Sequence, residues 1–481
     1  MKLRPDFGLT FDDVLLVPRR SNIGSRSEVS TQTMLVHGIH LNIPIVSSNM
    51  DTVTETQMAI AMAQQGGIGV LHRFMTIDQQ AECVEHIKRA ESLVVENPII
   101  IMDTATIGDA RKKMGEMEVG GLMVVDKDNH LVGIITTRDV LLANGGARSV
   151  KEAMTPRERL VVAEPGESME DARRKLHQHR IEKLPLVDEN GRVVGLITVQ
   201  DIIKIQEHPE ATKDGRGRLR TCAAVGVRAD DLDRARACVN AGVDVLVVDI
   251  AHGHSEHTIH MVRRLKEEFP QVPVIAGNVA SAAGVRDLAE AGADAVKVGV
   301  GSGSICITRV VTGFGVPQLS AIDDCASAGH ELGIPIIADG GTRTSGDITK
   351  ALAAGASTVM VGGMLAGTDE APGATIVKSG RRFKVIRGMA SLSANVERKR
   401  MDQGNQVSDE EWNDVVPEGV EALVPYRGGV ADILHQLVGG VRSGLSYAGA
   451  RSIEELWENA EFVRISGAGM AESGSHDVAA I

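Results

Sequence analysis

Eight short apolar runs, rich in β-branched residues, recur along the chain at 43–46, 67–71, 223–227, 245–249, 272–276, 295–298, 334–338 and 358–361. They are continuously apolar rather than alternating, which is how strands of a parallel sheet covered on both faces read. From the third run onward, stretches of helical period carrying Ala, Glu and Arg, such as 231–241 and 281–291, separate them. That spacing, roughly 20–30 residues, is what repeated strand–helix units demand. The pattern predicts an α/β chain folded as a (β/α)8 TIM barrel. A doubly wound open sheet is the alternative, and the glycines that follow the strands favour the barrel, whose chemistry sits on those loops.

One gap breaks the spacing. Between the second and third runs lies an internal repeat, in which Val132-Gly-Ile-Ile-Thr-Thr-Arg-Asp-Val140 matches Val194-Gly-Leu-Ile-Thr-Val-Gln-Asp-Ile202. Each copy follows a short apolar strand ending in aspartate, Asp126 or Asp188, and each is preceded by a helical segment opening near Ile107 or Met169. Residues 94–206 therefore read as a repeat pair, 94–148 and 149–206, inserted into a barrel formed by 1–93 and 207–481. Loop-closure entropy grows slowly with length, so such an insertion is tolerated. A second irregular stretch, about 394–418, is polar, carries Arg398, Lys399 and Arg400, has no clear apolar stripe and reads as a mobile flap.

Composition narrows the class. At 481 residues, with 43% apolar and 24% charged residues, the chain exceeds one ordinary core and should be a soluble globule. Aromatics are only 2%, so the core must be aliphatic. The net charge of −13, without a basic block, argues against nucleic-acid binding. No apolar run approaches a membrane span and no signal-peptide core follows the N-terminus, so a cytoplasmic location is expected. The five cysteines are scattered, without the spacing of a disulfide framework or a zinc site.

Candidate chemistry falls on the strand ends. Gly299-Val-Gly-Ser-Gly-Ser-Ile-Cys306-Ile-Thr308 follows the sixth run, and its glycines let the backbone turn tightly around a potential nucleophile. Asp339-Gly340-Gly341 and Gly362-Gly363 follow the seventh and eighth runs, where this architecture binds phosphate on backbone amides. Asp339 is then placed for ribose hydroxyls, and Asp249, at the end of the fourth run, for a cofactor ribose. His252 and His254 lack a third ligand, so a metal there is not expected. Glu418 closes the flap, where a carboxylate could bind a base edge or move a proton.

From Leu9-Thr-Phe-Asp-Asp-Val-Leu-Leu16 to Gly439-Gly-Val-Arg-Ser443, and most specifically in the Cys306 loop, the chain resembles the inosine-monophosphate dehydrogenase and guanosine-monophosphate reductase superfamily. The repeat pair resembles a cystathionine-β-synthase (Bateman) module, whose Thr-x-x-Asp ends match Thr136–Asp139 and Thr198–Asp201; in relatives these ends bind adenine-nucleotide ribose. The resemblance implies that Cys306 attacks C2 of a purine nucleotide to form a thioimidate and that a nicotinamide cofactor exchanges hydride at C2. It implies substrate contacts at Ser47, Asn49, Met50, Ser304, Asp339, Gly340, Gly341, Gly362, Gly363, Arg387, Gly388, Met389 and Ser391, and cofactor contacts at Asp249, Asn278 and Gly299. It further implies a monovalent cation such as K+ near Gly301, Gly303 and Cys306, and a homotetramer or homo-octamer.

The two members diverge at the thioimidate. Dehydrogenases activate water with an Arg–Tyr dyad in the flap, whereas this flap has arginines and no tyrosine; the chain's two tyrosines, Tyr426 and Tyr447, come later. Asn49 and Gly363 resemble the reductase, where dehydrogenases show proline or alanine and serine. The segments 24–29, 255–257 and 317–321 also look like the reductase. The length, the Bateman insertion, Val416-Pro-Glu-Gly-Val-Glu421 and Arg387-Gly-Met389 resemble the dehydrogenase. The expected activity is thus reduction of GMP to IMP and ammonia with NADPH, with Thr308 and Glu418 handling protons and ATP or GTP acting at the repeat pair. The alternatives are oxidation of IMP to XMP with NAD, and a non-catalytic nucleotide sensor.

Overall fold

The computed structural model describes residues 7–91, 94–96, 98–117, 119–143, 146–403 and 416–474, with the backbone alone described at 398–403. The chain divides into two compact units, one of Met1–Lys88, Glu210–Lys213 and Leu219–Ile481, the other of Arg89–Pro209 and Asp214–Arg218.

The first unit is a closed barrel of parallel strands, β1 (Ile45–Ser47), β2 (Ile68–Leu71), β3 (Cys222–Val225), β4 (Val245–Asp249), β5 (Val274–Val279), β6 (Ala295–Val298), β7 (Ile336–Asp339) and β8 (Thr358–Val361), with β8 pairing back to β1. Each coincides with one of the apolar runs, because both faces of each strand are covered and nearly every residue in it is buried. Helices such as Asp231–Asn240 and Ala282–Glu290 lie between strands where the 3.6-residue period places them.

The core is aliphatic. Val46, Ile68, Val247, Ile275, Ile337 and Met360 form one cluster with Leu35, Val36, Ile39 and Leu41. The last four come from an antiparallel hairpin, Thr33–Val36 with Ile39–Leu41, which the apolar pattern did not single out because each arm is too short. A three-stranded antiparallel sheet, Ile376–Lys378, Arg381–Arg387 and Glu421–Pro425, was likewise unpredicted. It delivers the chain on either side of the expected flap to the Cys306 loop.

The stretch read as irregular is helical in its first part, Leu392–Gln403. Among its described side chains only Ala394 and Val396 are buried, two positions apart, a spacing that gives no helical stripe for periodicity to detect. The remainder of the expected flap, 404–415, lies outside the described residues.

The second unit holds the repeats. The first contributes strands Ile100–Met102, Gly121–Val125 and Leu131–Thr136, joined by Thr155–Pro156 from the start of the second, which also supplies Lys183–Val187 paired with Val193–Thr198. In each, a helix opens where the repeat predicts it, Ile107–Glu116 and Met169–His179. The unit extends beyond 94–206, partly because Arg216 pairs with Glu96 at 3.2 Å and draws in the 214–218 segment. No described helix is long and apolar enough to cross a membrane.

Candidate active site

The C-terminal ends of β6, β7, β8 and β1 enclose a cavity of about 300 Å³. Met50, Ser304, Asp339, Gly340, Gly341, Gly362 and Gly363, all expected on the substrate, line it together with Ser48, Ser302 and Ile386. The geometry explains two of the glycines. Gly340 has φ +95°, and a Cβ there would meet Ser302 Oγ at 2.5 Å; Gly299 has φ +150°, and its Cβ would strike the Asp339 carbonyl at 2.0 Å. Glycine at both positions lets the loops after β6 and β7 pack against one another.

Cys306 stands at the edge of this cavity, half-buried in a loop whose neighbours Ser302, Gly303, Ser304 and Ile305 line the wall. Its Sγ lies 3.2 Å from Thr308 Oγ1. Burial pushes the thiols of Cys238 and Cys325 up to about 12, and those of Cys83 and Cys222 upward as well, so these four stay protonated and inert near neutrality. Cys306 is the cysteine left for chemistry. Glu418 joins it through the backbone: Ile307 donates its amide to the Glu418 carbonyl at 2.8 Å, Val420 donates to Ile305 at 3.0 Å, and Cys306 bridges Gly419. Glu418, distant in sequence from the adjoining Cys306 and Thr308, is thus brought to them at one strand-like seam.

Other expected substrate residues sit behind the wall. The buried Ser47 Oγ accepts the Thr54 hydroxyl at 2.8 Å. Asn49 hydrogen-bonds the carboxylate of Asp249. The Arg387 guanidinium is committed to Asp51 and Glu397, tying the helix Leu392–Gln403 to the loop after β1. Gly388 packs against Gly419, where a Cβ would come within 3.0 Å of its Cα. Ser391 is buried, its Oγ accepting the Ala394 amide. Met389 is partly buried beside them. None of these residues lines the cavity, and the 388–391 segment packs along the seam. The Gly303 carbonyl, expected near a monovalent cation with Gly301, accepts the Cys306 amide at 3.1 Å. That cation would take backbone carbonyls of this loop, and among described residues the acid and histidine groups that could hold a metal lie elsewhere, at Asp126, Asp128 and His130.

The residue that sequence reasoning missed is Lys297, on β6. It is 2% exposed, and its Nζ donates to Asp249 Oδ1 at 2.6 Å, to Asp339 Oδ2 at 2.7 Å and to Asn278 Oδ1. Burial alone would lower its pKa, but the two carboxylates outweigh that and hold it well above the usual lysine range. Burial likewise opposes ionisation of Asp249, and the ammonium overcomes it, keeping this carboxyl below its ordinary value. The available signal was a lone charge inside the apolar run Ala295-Val-Lys-Val298, since a buried lysine persists only when paired.

In the second unit, a cleft of about 1010 Å³ is lined by Thr136, Asp139, Thr198 and Asp201, with Arg138, Arg159, Arg180 and Lys183 around them. Both Thr-x-x-Asp pairs also close capping boxes: Asp139 Oδ2 accepts from Thr136 Oγ1 at 2.7 Å, and Asp201 Oδ2 from Thr198 Oγ1 at 2.6 Å.

Comparison with known proteins finds relatives along nearly the whole chain. Residues 8–476 match the family described as IMP dehydrogenase / GMP reductase domain. The chain is 57% identical over 471 residues to an inosine-5'-monophosphate dehydrogenase of Nitrosopumilus maritimus, covering 98% of both chains. It is 50% identical over 480 residues to a GMP reductase of Leishmania major, covering 98% of this chain and 97% of that one. Among solved structures, a GMP reductase variant from Trypanosoma brucei in complex with guanosine 5'-monophosphate superposes with a TM-score of 0.91 at 49% identity, over 98% of each chain.

Proposed function

The chain belongs to the IMP dehydrogenase / GMP reductase family, and from that premise we propose that this purine-nucleotide oxidoreductase is a GMP reductase, converting GMP to IMP and ammonia with NADPH. The observation that carries this reading is the absence of a tyrosine from the flap. Both tyrosines of the chain lie elsewhere: Tyr426 donates its hydroxyl to Asp369 at 2.8 Å under the Arg382 guanidinium, and Tyr447 lies exposed on the helix Val430–Ala448. Without a phenol to help activate water, hydrolysis of a thioimidate is disfavoured.

The chain's own groups fit the alternative. Cys306 Sγ bonds to C2 of GMP, and the C2–nitrogen bond breaks as ammonia departs. Thr308 and Glu418 deliver the proton that the leaving nitrogen needs. A reduced nicotinamide supplies hydride to C2 when bound; the C2–sulfur bond then breaks, freeing IMP and the thiolate. Asp339, Gly340, Gly341, Gly362 and Gly363 hold ribose and phosphate, while Asp249, Asn278 and Gly299 face the dinucleotide. Full-length similarity to the Leishmania and Trypanosoma reductases removes the objection that the chain is too long for this activity.

The dehydrogenase reading is favoured by the 57% identity to a protein of that name. Paired assays decide between them. The reductase consumes NADPH with GMP and leaves NAD unreduced with IMP; NAD reduction with IMP and no NADPH consumption with GMP overturns it. The inserted unit is proposed to be a Bateman module binding ATP or GTP, supported by its basic cleft and by a Trypanosoma brucei GMP reductase solved with guanosine 5'-triphosphate, 44% identical at a TM-score of 0.80.

A further inference from the structure

Lys297 has no part in the chemistry above, yet among the described residues it is the largest fully buried side chain. An ammonium has three donors, and all three are spent on residues at the ends of three barrel strands: Asp249 on β4, Asn278 on β5 and Asp339 on β7. The strand register makes the reach possible. Asp249 pairs with Gly277, and Gly277 pairs with Lys297, so the lysine must cross β5 to meet the aspartate. A Cβ on Gly277 would come within 2.8 Å of Lys297 Cβ and 2.5 Å of its carbonyl oxygen. Asn278 closes the network, donating from Nδ2 to Asp339 Oδ2 at 2.9 Å and to the Gly299 carbonyl at 2.8 Å. The ammonium is 2% exposed behind carboxylates that are 23% and 20% exposed, so the charge that organises the cluster is withdrawn while the acceptors keep an accessible edge, that of Asp339 on the cavity wall. With one positive and two negative charges, the cluster suits neutral hydroxyl donors rather than phosphate.

We propose that Lys297 is a positioning residue shared by both ligands, which fixes the cofactor-side Asp249 and the substrate-side Asp339 as one rigid acceptor pair and so makes the two binding sites interdependent. This rests on the ribose roles proposed for those two aspartates, and not on which way the family reaction runs. Neither carboxylate can reorient alone while the same ammonium holds both. Removal of the ammonium leaves two like charges at the mouth of the site, and each nucleotide then meets a misaligned, mutually repelling pair.

The test uses the full chain with Lys297→Met, Lys297→Arg and Asp249→Asn, and measures binding of purine nucleotide and dinucleotide separately by calorimetry. GMP with NADPH and IMP with NAD are both used. Lys297→Met is expected to weaken purine nucleotide and dinucleotide alike by about tenfold or more, the size expected for a lost charged hydrogen bond. Lys297→Arg should restore much of both. Asp249→Asn should weaken the purine nucleotide severalfold as well as the dinucleotide, although it stands on the cofactor side. A Lys297→Met protein that loses affinity for one ligand only, or for neither, overturns the proposal. Should that variant not fold, as judged by circular dichroism, Asp249→Asn carries the test, and an effect confined to the dinucleotide overturns it. If the wild-type protein binds and turns over only IMP with NAD, the reductase reading fails while the Lys297 test proceeds on that pair.

Discussion

Beside the cavity, Cys306 stands in a different environment from the three fully buried cysteines, Cys222, Cys238 and Cys325. Cys238 and Cys325 are held near 12 by burial, whereas Cys306 is half-buried against the Thr308 hydroxyl at 3.2 Å. Cys306→Ala should therefore lower turnover by at least about three orders of magnitude, as loss of a nucleophile does. It should leave nucleotide binding measurable by calorimetry, because the cavity wall is otherwise intact. The Lys297 cluster predicts a pH dependence of stability. Asp249 has a depressed folded pKa, so its contribution is present above the unfolded value of about 3.9 and is lost as pH falls through the folded one. Lys297 is raised, so its contribution is present below about 10.4 and is lost as pH rises through its folded value. The melting temperature of wild type minus that of Lys297→Met should accordingly be greatest between about pH 4 and pH 10 and shrink on the acid side. A difference independent of pH would mean that the cluster is not ionised as described.

Elements, rather than residues, decide what the Thr-x-x-Asp motifs do. The sequence marks Thr136–Asp139 and Thr198–Asp201 as ribose binders by resemblance, and the structure gives both pairs a second task, closing helix N-termini. Both uses need a short hydroxyl followed three residues later by a carboxylate, so sequence alone cannot separate them. Thr198→Ala should destabilise the inserted unit by about 1 kcal/mol through the lost cap, read as a shift in its denaturation midpoint. Thr198→Ser should retain most of that stability. At the same scale, the helix Leu392–Gln403 shows why periodicity failed in the expected flap. The Arg387 ion pair to Glu397 and Asp51 anchors its described part, and a salt link leaves no 3.6-residue signature.

At the scale of the whole molecule, the two units carry separate cavities and separate cores, and the proposed function assigns catalysis to the first and nucleotide sensing to the second. Replacement of residues 94–206 by a short glycine-rich linker should leave turnover within about an order of magnitude, since loop closure is a small entropic term. It should abolish any response to ATP or GTP in a kinetic assay; a persisting response would place the regulatory site outside the insertion. The barrel was legible because burial of each strand on both faces imposes an apolar run, and the insertion because two homologous sequences repeat in register. Cys306 and the glycine loops were legible because their chemistry sits in contiguous residues at predicted strand ends. The hub at Lys297, the seam that brings Glu418 to Ile307 and the retreat of Ser47 and Arg387 from the cavity were decided only by tertiary structure. Each depends on which strands become neighbours when the barrel closes. A lone lysine among valines carries no sign of its partners until closure sets Asp249 and Asp339 on either side of it.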